Sequence, residues 1–239
     1  MNYTFIRPSY SNHNNINISM KMYFIPIYTG LVEKNYENLK TYFLHQPHHF
    51  LPLTSLRNEI LQNLQLELFQ TAIFGTNHFL ERMVKLALIE KHTLGLDYSN
   101  HETYNQKTLE AIDLYDILTL FKSLDSAEEQ NLISESEKAT LTILRQKIRN
   151  PFSHAEIKKI LMDAPVNFTG FMFNINDVKE SIIKGRSIRL GEKKEITTLS
   201  STISQLYQQK YSEQMALDYF VTVYEIMINI DKKLLDLPK

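Results

Sequence analysis

Residues 56–91 read LRNEILQNLQLELFQTAIFGTNHFLERMVKLALIEK, and their apolar positions recur every three or four residues: Ile60, Leu64 and Leu68, then Phe79, Met83 and Leu86. That interval matches the turn of an α-helix and sets one face toward a core. Gly75 is expected to divide the stretch into two helices, because glycine in a helix interior costs about 1 kcal/mol relative to alanine. The second helix, residues 78–91, should end near Gly95. Downstream, LEAIDLYDILTLFKSL (residues 109–124) repeats the pattern with Leu109, Ile112, Tyr115, Ile117, Leu118 and Phe121 as one further amphipathic helix, and the polar DYSNHETYNQ (97–106) before it reads as a loop.

Composition points the same way. Six glycines and seven prolines in 239 residues fall well below averages of roughly 7% and 5%, which disfavours a turn-rich β fold and leaves no glycine fingerprint for a nucleotide. The expected class is all-α: an up-and-down helical bundle over 51–239, preceded by an extension (1–50) and carrying an insertion (163–210) with short strands. No cysteine is present, so disulfides, thiolate nucleophiles and cysteine-ligated metals are excluded. The net charge of −1 supplies no global field for nucleic acid, so RNA contact would need a local basic patch. The amino-terminal residues lack the basic start and apolar run of a secretory signal. Met215–Ile230 is broken by Asp218 and Glu225 and falls short of a membrane span. A soluble, cytoplasmic protein without membrane partner is the expectation.

Nearer the ends, Met22–Tyr28 with Pro26 inside suits an edge strand or extended arm. Leu31–Leu44 has helical spacing, and Pro47 in the stretch 45–49 (HQPHH) closes it. Residues 163–200 hold an alternating stretch whose phase changes at Gly170, a short capped helix near Val178–Lys184 and a possible hairpin around Gly191. The run from Leu206 to Leu237 supports one long or two abutting helices, buried on more than one face through Met215, Leu217, Tyr219, Phe220, Val223, Ile226, Met227 and Ile230.

Between these lies RQKIRNPFSHAEI (145–157). Ser134 and Glu137 form a capping box, and the helix they open carries Leu141, Leu144 and Ile148 on one stripe, with Lys138, Arg145 and Arg149 alongside. Arg145 and Arg149 are one turn apart and should share a face. Asn150 reads as an N-cap and Pro151 as the first residue of a new helix, with His154 in its first turn. Metal-free cleavage of RNA needs a base for the 2′-hydroxyl, an acid for the leaving 5′-oxygen, and positive charge at the phosphate. An imidazole near its ordinary pKa and a permanently charged guanidinium meet those needs. An arginine and a histidine with four residues between them are a weak signal alone, and Arg7 with His13 offers a similar gap in an unpatterned segment. The helices on either side of 149–154 set Arg149 and His154 apart from it.

With those helices, the stretch resembles the HEPN superfamily, helical domains carrying Arg, four to six residues, then His, most often with a polar residue directly after the Arg. Arg149, Asn150 and His154 match that pattern, and residues 55–163 and 210–236 look like its core helices. The resemblance implies a metal-independent endoribonuclease without cofactor, active as a homodimer whose Arg–His pairs share one cleft. Such proteins serve as toxins, with an antitoxin partner, or as antiphage-defence effectors. It further implies that Arg149 stabilises the phosphate, His154 is the acid–base or orienting group and Asn150 caps and positions. A polar residue of the first core helix often completes such sites, and Glu81 is the candidate. The tyrosine two residues after the histidine that one toxin subgroup uses for control is replaced here by Glu156. Activity should rise as His154 reaches its useful protonation state, between about pH 6 and 8. The rival reading is a HEPN-like fold that binds RNA or a protein without cleaving.

Arg145, Lys158, Lys184, Arg186 and Arg189 are candidate contacts for the RNA backbone. Lys184, Arg186 and Arg189, with Lys193 and Lys194, also read as a solvated loop diluted by Glu192 and Glu195. His45, His48 and His49 have ligand-like spacing, but Pro47 prevents a regular helix from aligning them, so a loop is expected and no metal site. Tyr219, Phe220 and Tyr224 read as core.

Overall fold

The helix expected around residue 80 becomes the centre of the molecule. The computed structural model describes residues 13–96, 99–153, 166–172, 174–187, 192–198 and 201–237. In chain order the elements are α1 (His13–Leu44), a 3-10 turn (Leu51–Leu53), α2 (Thr54–Gln65), α3 (Phe69–Thr93), α4 (His101–Asp116), α5 (Leu120–Glu129), α6 (Glu135–Leu144), a π turn (Arg145–Arg149), α7 (Asn150–Ser153), β1 (Val166–Met172), α8 (Ile175–Ile183), β2 (Glu192–Thr198) and α9 (Ser201–Asp236). The fold is mostly α-helical, as expected. The 25-residue α3 contacts α2, α4, α5, α7 and α9. Its buried side chains, among them Ile73, Phe79, Leu80, Met83, Val84 and Leu88, occupy more than one face, as a helix enclosed by others requires. Tyr219, Phe220, Tyr224 and Met227 of α9 complete this core.

The break in the opening stretch falls at 66–68, not at Gly75. Glu67 has φ 57°, and Leu68 donates its amide to the Asn63 carbonyl at 2.7 Å, a left-handed closure of α2. The Glu67 side chain pairs with Lys34 Nζ of α1 at 2.6 Å. Gly75 lies inside α3, where a Cβ would come within 2.7 Å of Ile60 Cγ1. Its role is close approach of α2 and α3.

Three further expectations are corrected. The segment around Pro26 belongs to α1 rather than to a strand or arm. Proline removes one amide donor and crowds one turn, and a 32-residue helix bridges that defect with the bonds on either side. The loop before residue 109 ends at Asn100, whose side chain accepts the Thr103 amide at 3.2 Å and starts α4 early. The stretch 109–124 is two helices, not one: Thr119 caps α5, and Ile117, between them, is 80% exposed. Apolar spacing loses its phase across such a turn.

In the insertion, β1 and β2 pair antiparallel with Val166 opposite Thr198 and Met172 opposite Glu192, across the Asn174-capped α8. The hairpin partner of β2 is therefore β1; Gly191 lies outside the described residues. No helix among the described residues is long and apolar enough to cross a membrane.

The carboxyl end of α1 is fastened by a residue that spacing alone did not single out. Arg57, 2% exposed, donates to the Phe43 carbonyl at 3.3 Å, to the His45 carbonyl, to Tyr224 Oη at 3.2 Å and to Asn58 Oδ1 at 3.1 and 3.2 Å. These bonds satisfy carbonyls that a helix end leaves without partners. His45 Nδ1 lies 2.9 Å from Tyr224 Oη, and burial and the Arg57 charge together hold this imidazole below its ordinary pKa against the opposing charge of Asp231. The amides of His48 and His49 bond to the Asp231 carboxylate at 2.9 and 2.8 Å. The three histidines form a loop, as expected, and no metal-binding group of His, Asp and Glu exists among the described residues.

Candidate functional site

The Ser134 capping box forms as its spacing requires, with Glu137 returning to the Ser134 amide at 2.7 Å. The helix it opens is then anchored by Lys138, which reaches Asp125 Oδ1 at 2.7 Å and Glu128 Oε2 at 2.6 Å on α5. Those two carboxylates hold its ammonium above the ordinary lysine range.

The helix does not break before Asn150. Asn150 has φ −65° and ψ −49° and donates its amide to the Arg145 carbonyl, an i→i−5 bond, so it is not an N-cap. The physical reason follows from Pro151, which has no amide for the Lys147 carbonyl and whose ring would crowd the preceding α turn. Widening Arg145–Arg149 to a π turn absorbs that defect and lets the chain continue helically through Ser153. Pro151 and Phe152 are buried. Phe152 stacks on Tyr211 of α9 (ring centroids 6.2 Å apart) and meets Phe74 of α3 edge-on at 6.4 Å. The motif helix is thus wedged between the two central helices.

The wide turn sends the two arginines to different neighbours instead of one face. The Arg145 guanidinium lies 5.0 Å above the Phe121 ring of α5, with its Nε buried and unpartnered. Arg149 turns to α3, where Nη2 lies 3.2 Å from Glu81 Oε2, while Nη1 donates to Asn150 Oδ1 at 3.2 Å. The Arg149 and Glu81 side chains are 24% and 32% exposed, so the pair borders solvent. Glu81 Oε1 also lies 3.8 Å from Lys85 Nζ, which donates to the Asp116 carbonyl at the end of α4 at 2.7 Å. One turn to the other side, Asn77 Nδ2 donates to Ser153 Oγ at 3.2 Å, and Tyr219 Oη donates to Asn77 Oδ1 at 2.8 Å. Burial pushes the Tyr219 phenol well above its ordinary pKa, against the Arg149 charge, which acts to lower it.

The structure therefore brings Arg149, Asn150 and Glu81 together. His154, Lys158 and Arg189 lie outside the described residues, as does Arg7. Lys184 pairs with Glu180 of its own helix at 2.8 Å and Arg186 is exposed; neither is joined to Arg149 among the described residues. Sequence reading passed over Asn77, Lys85 and Ser153, and took Tyr219 as core, where it lies, without its bond to Asn77. A signal for two of them was present, because Asn77, Glu81 and Lys85 recur every fourth residue and so share one polar stripe of the helix.

Chemically, the site offers a guanidinium fork held by a carboxylate and an amide oxygen at the solvent border, with the imidazole of the motif five positions further along the chain. Such a fork suits a phosphate, which can take up its donors in pairs. No protein-family model, curated protein or solved structure matches the chain.

Proposed function

We propose that the chain is a metal-independent endoribonuclease of HEPN type that acts as a homodimer in toxin or antiphage-defence biology. The observation that carries this reading is the Arg149 guanidinium, oriented by Glu81 and Asn150 and still open to solvent, in a motif whose next ionisable residue along the chain is His154. In this mechanism Arg149 neutralises the scissile phosphate. His154 exchanges the proton: the 2′-oxygen attacks phosphorus, the bond to the 5′-oxygen breaks, and the products are a 2′,3′-cyclic phosphate and a 5′-hydroxyl. Glu81 orients Arg149 before RNA arrives and yields donors to the phosphate when it does.

A second reading is favoured by the same pair. An arginine already matched by a carboxylate of its own chain also suits a HEPN-like module that binds RNA or a partner without cleaving. Labelled RNA incubated with the purified protein in EDTA separates the two. Cleavage that His154→Ala abolishes, with RNA binding retained, is the expected result. Binding with no cleavage by the wild type overturns the nuclease reading, and cleavage that survives His154→Ala overturns the role given to His154.

A further inference from the structure

Two contacts tie the motif helix to α3, and they have matching spacing. Glu81 meets Arg149 and Asn77 meets Ser153, so residues i and i+4 of one helix face i+4 and i of the other. The second contact continues into the core through Tyr219. Asn77 is 6% exposed and Tyr219 1%, whereas Ser153 is exposed.

A buried hydroxyl–amide pair is a poor way to add stability here. Its hydrogen bonds largely replace those made to water, and apolar residues of the same shape would serve as well. What a polar chain adds is direction, because each bond has a narrow geometry and breaking one strands a buried partner. Tyr219 on α9 fixes Asn77 on α3, and Asn77 fixes Ser153, the residue directly before His154 in the chain. We infer that Asn77 is a positioning residue for Arg149, acting through the Tyr219–Asn77–Ser153 chain to set the register of the motif helix, as far as Ser153, against α3. The inference rests on the nuclease reading for its catalytic consequence, and on the three side chains alone for its structural one.

The variants are chosen to keep the fold. Ser153→Ala removes an exposed oxygen, Ser153→Thr restores it, and Tyr219→Phe removes only the buried hydroxyl. Ser153→Ala and Tyr219→Phe should each lower kcat about tenfold or more with KM little changed, since misplacing a catalytic group acts on the chemical step. Ser153→Thr should recover most of the loss. The Ser153→Ala/Tyr219→Phe double variant should be no worse than the poorer single one, because both interrupt one chain. Wild-type kcat in both single variants, with RNA still cut by the parent, overturns the inference and leaves the nuclease reading intact. If the parent does not cut RNA, that reading fails and the side-chain Nε–H signal of Arg149 in arginine-labelled protein decides the inference instead. Displaced signals in both single variants sustain the positioning role, and unmoved signals remove it.

Discussion

Arg57 and Arg149 occupy opposite situations. Arg57 is sealed in the core, makes all its bonds to neutral oxygens and joins the end of α1 to α2 and α9. Arg149 stands at the solvent border, bonded to one carboxylate and one amide oxygen. The same side chain is thus used once as a fixed cap for a helix end and once as an oriented but available cation. Exposure and the charge of the partner separate the two roles; the number of bonds alone does not. A buried arginine with neutral acceptors cannot exchange them for a ligand without exposing the core, whereas Arg149 and Glu81 border solvent, where a partner can be exchanged.

The largest effect expected from this contrast is on stability. Arg57→Ala should lower the unfolding free energy by about 3 kcal/mol or more, because it takes a buried donor from the Phe43 and His45 carbonyls and leaves the Tyr224 hydroxyl with His45 alone. Urea unfolding measures it, and a loss under 1 kcal/mol on the order-of-magnitude scale of single exposed contacts would erase the distinction. Arg149→Ala should do the reverse. It should cost no more than about 1 kcal/mol of stability, while RNA cleavage falls by about 100-fold. Equal damage to stability in both variants would make Arg149 a second structural cap.

The smallest effect concerns pH. His45 has a folded-state pKa below its ordinary value, so between those two values the unfolded chain binds a proton that the folded chain refuses. Stability is therefore full above the ordinary imidazole pKa of about 6.5 and falls as pH drops through it, levelling off below the folded value. His45→Asn, which cannot titrate, should flatten that part of the stability profile. A profile unchanged by the substitution would show that the Arg57 cluster does not sense protons through His45.

The legible parts of the molecule were those set by local chemistry. The Ser134–Glu137 box, the stop at Pro47 and the long apolar helix around Tyr219 follow from spacing and caps over a few residues. Glu81 was legible only through the family resemblance, and the Arg149 contact now gives it a physical partner. What was not legible depends on tertiary context. Gly75 reads as a helix breaker until Ile60 is seen against it. Pro26 reads the same way until the surrounding helix bonds are counted. Asn150 followed by Pro151 satisfies every rule for a new helix start, yet burial of Pro151 and Phe152 between α3 and α9 favours one continuous helix with a widened turn. Asn77 and Tyr219 sit 142 positions apart, beyond the reach of any pattern in the chain.

That widened turn has a consequence for how the gene can change length. A π turn is geometrically an α-helix with one residue spliced in, so removing a single codon within 145–148 would take away the residue that lets the helix pass Pro151. The wide turn takes up its extra residue locally, so the shortened helix would keep Lys138 and Ser153 near their present register but press the proline ring against the preceding turn. Substitutions in this turn are therefore easier to absorb than losses, and the count of residues from Lys138 to Arg149 is itself under constraint.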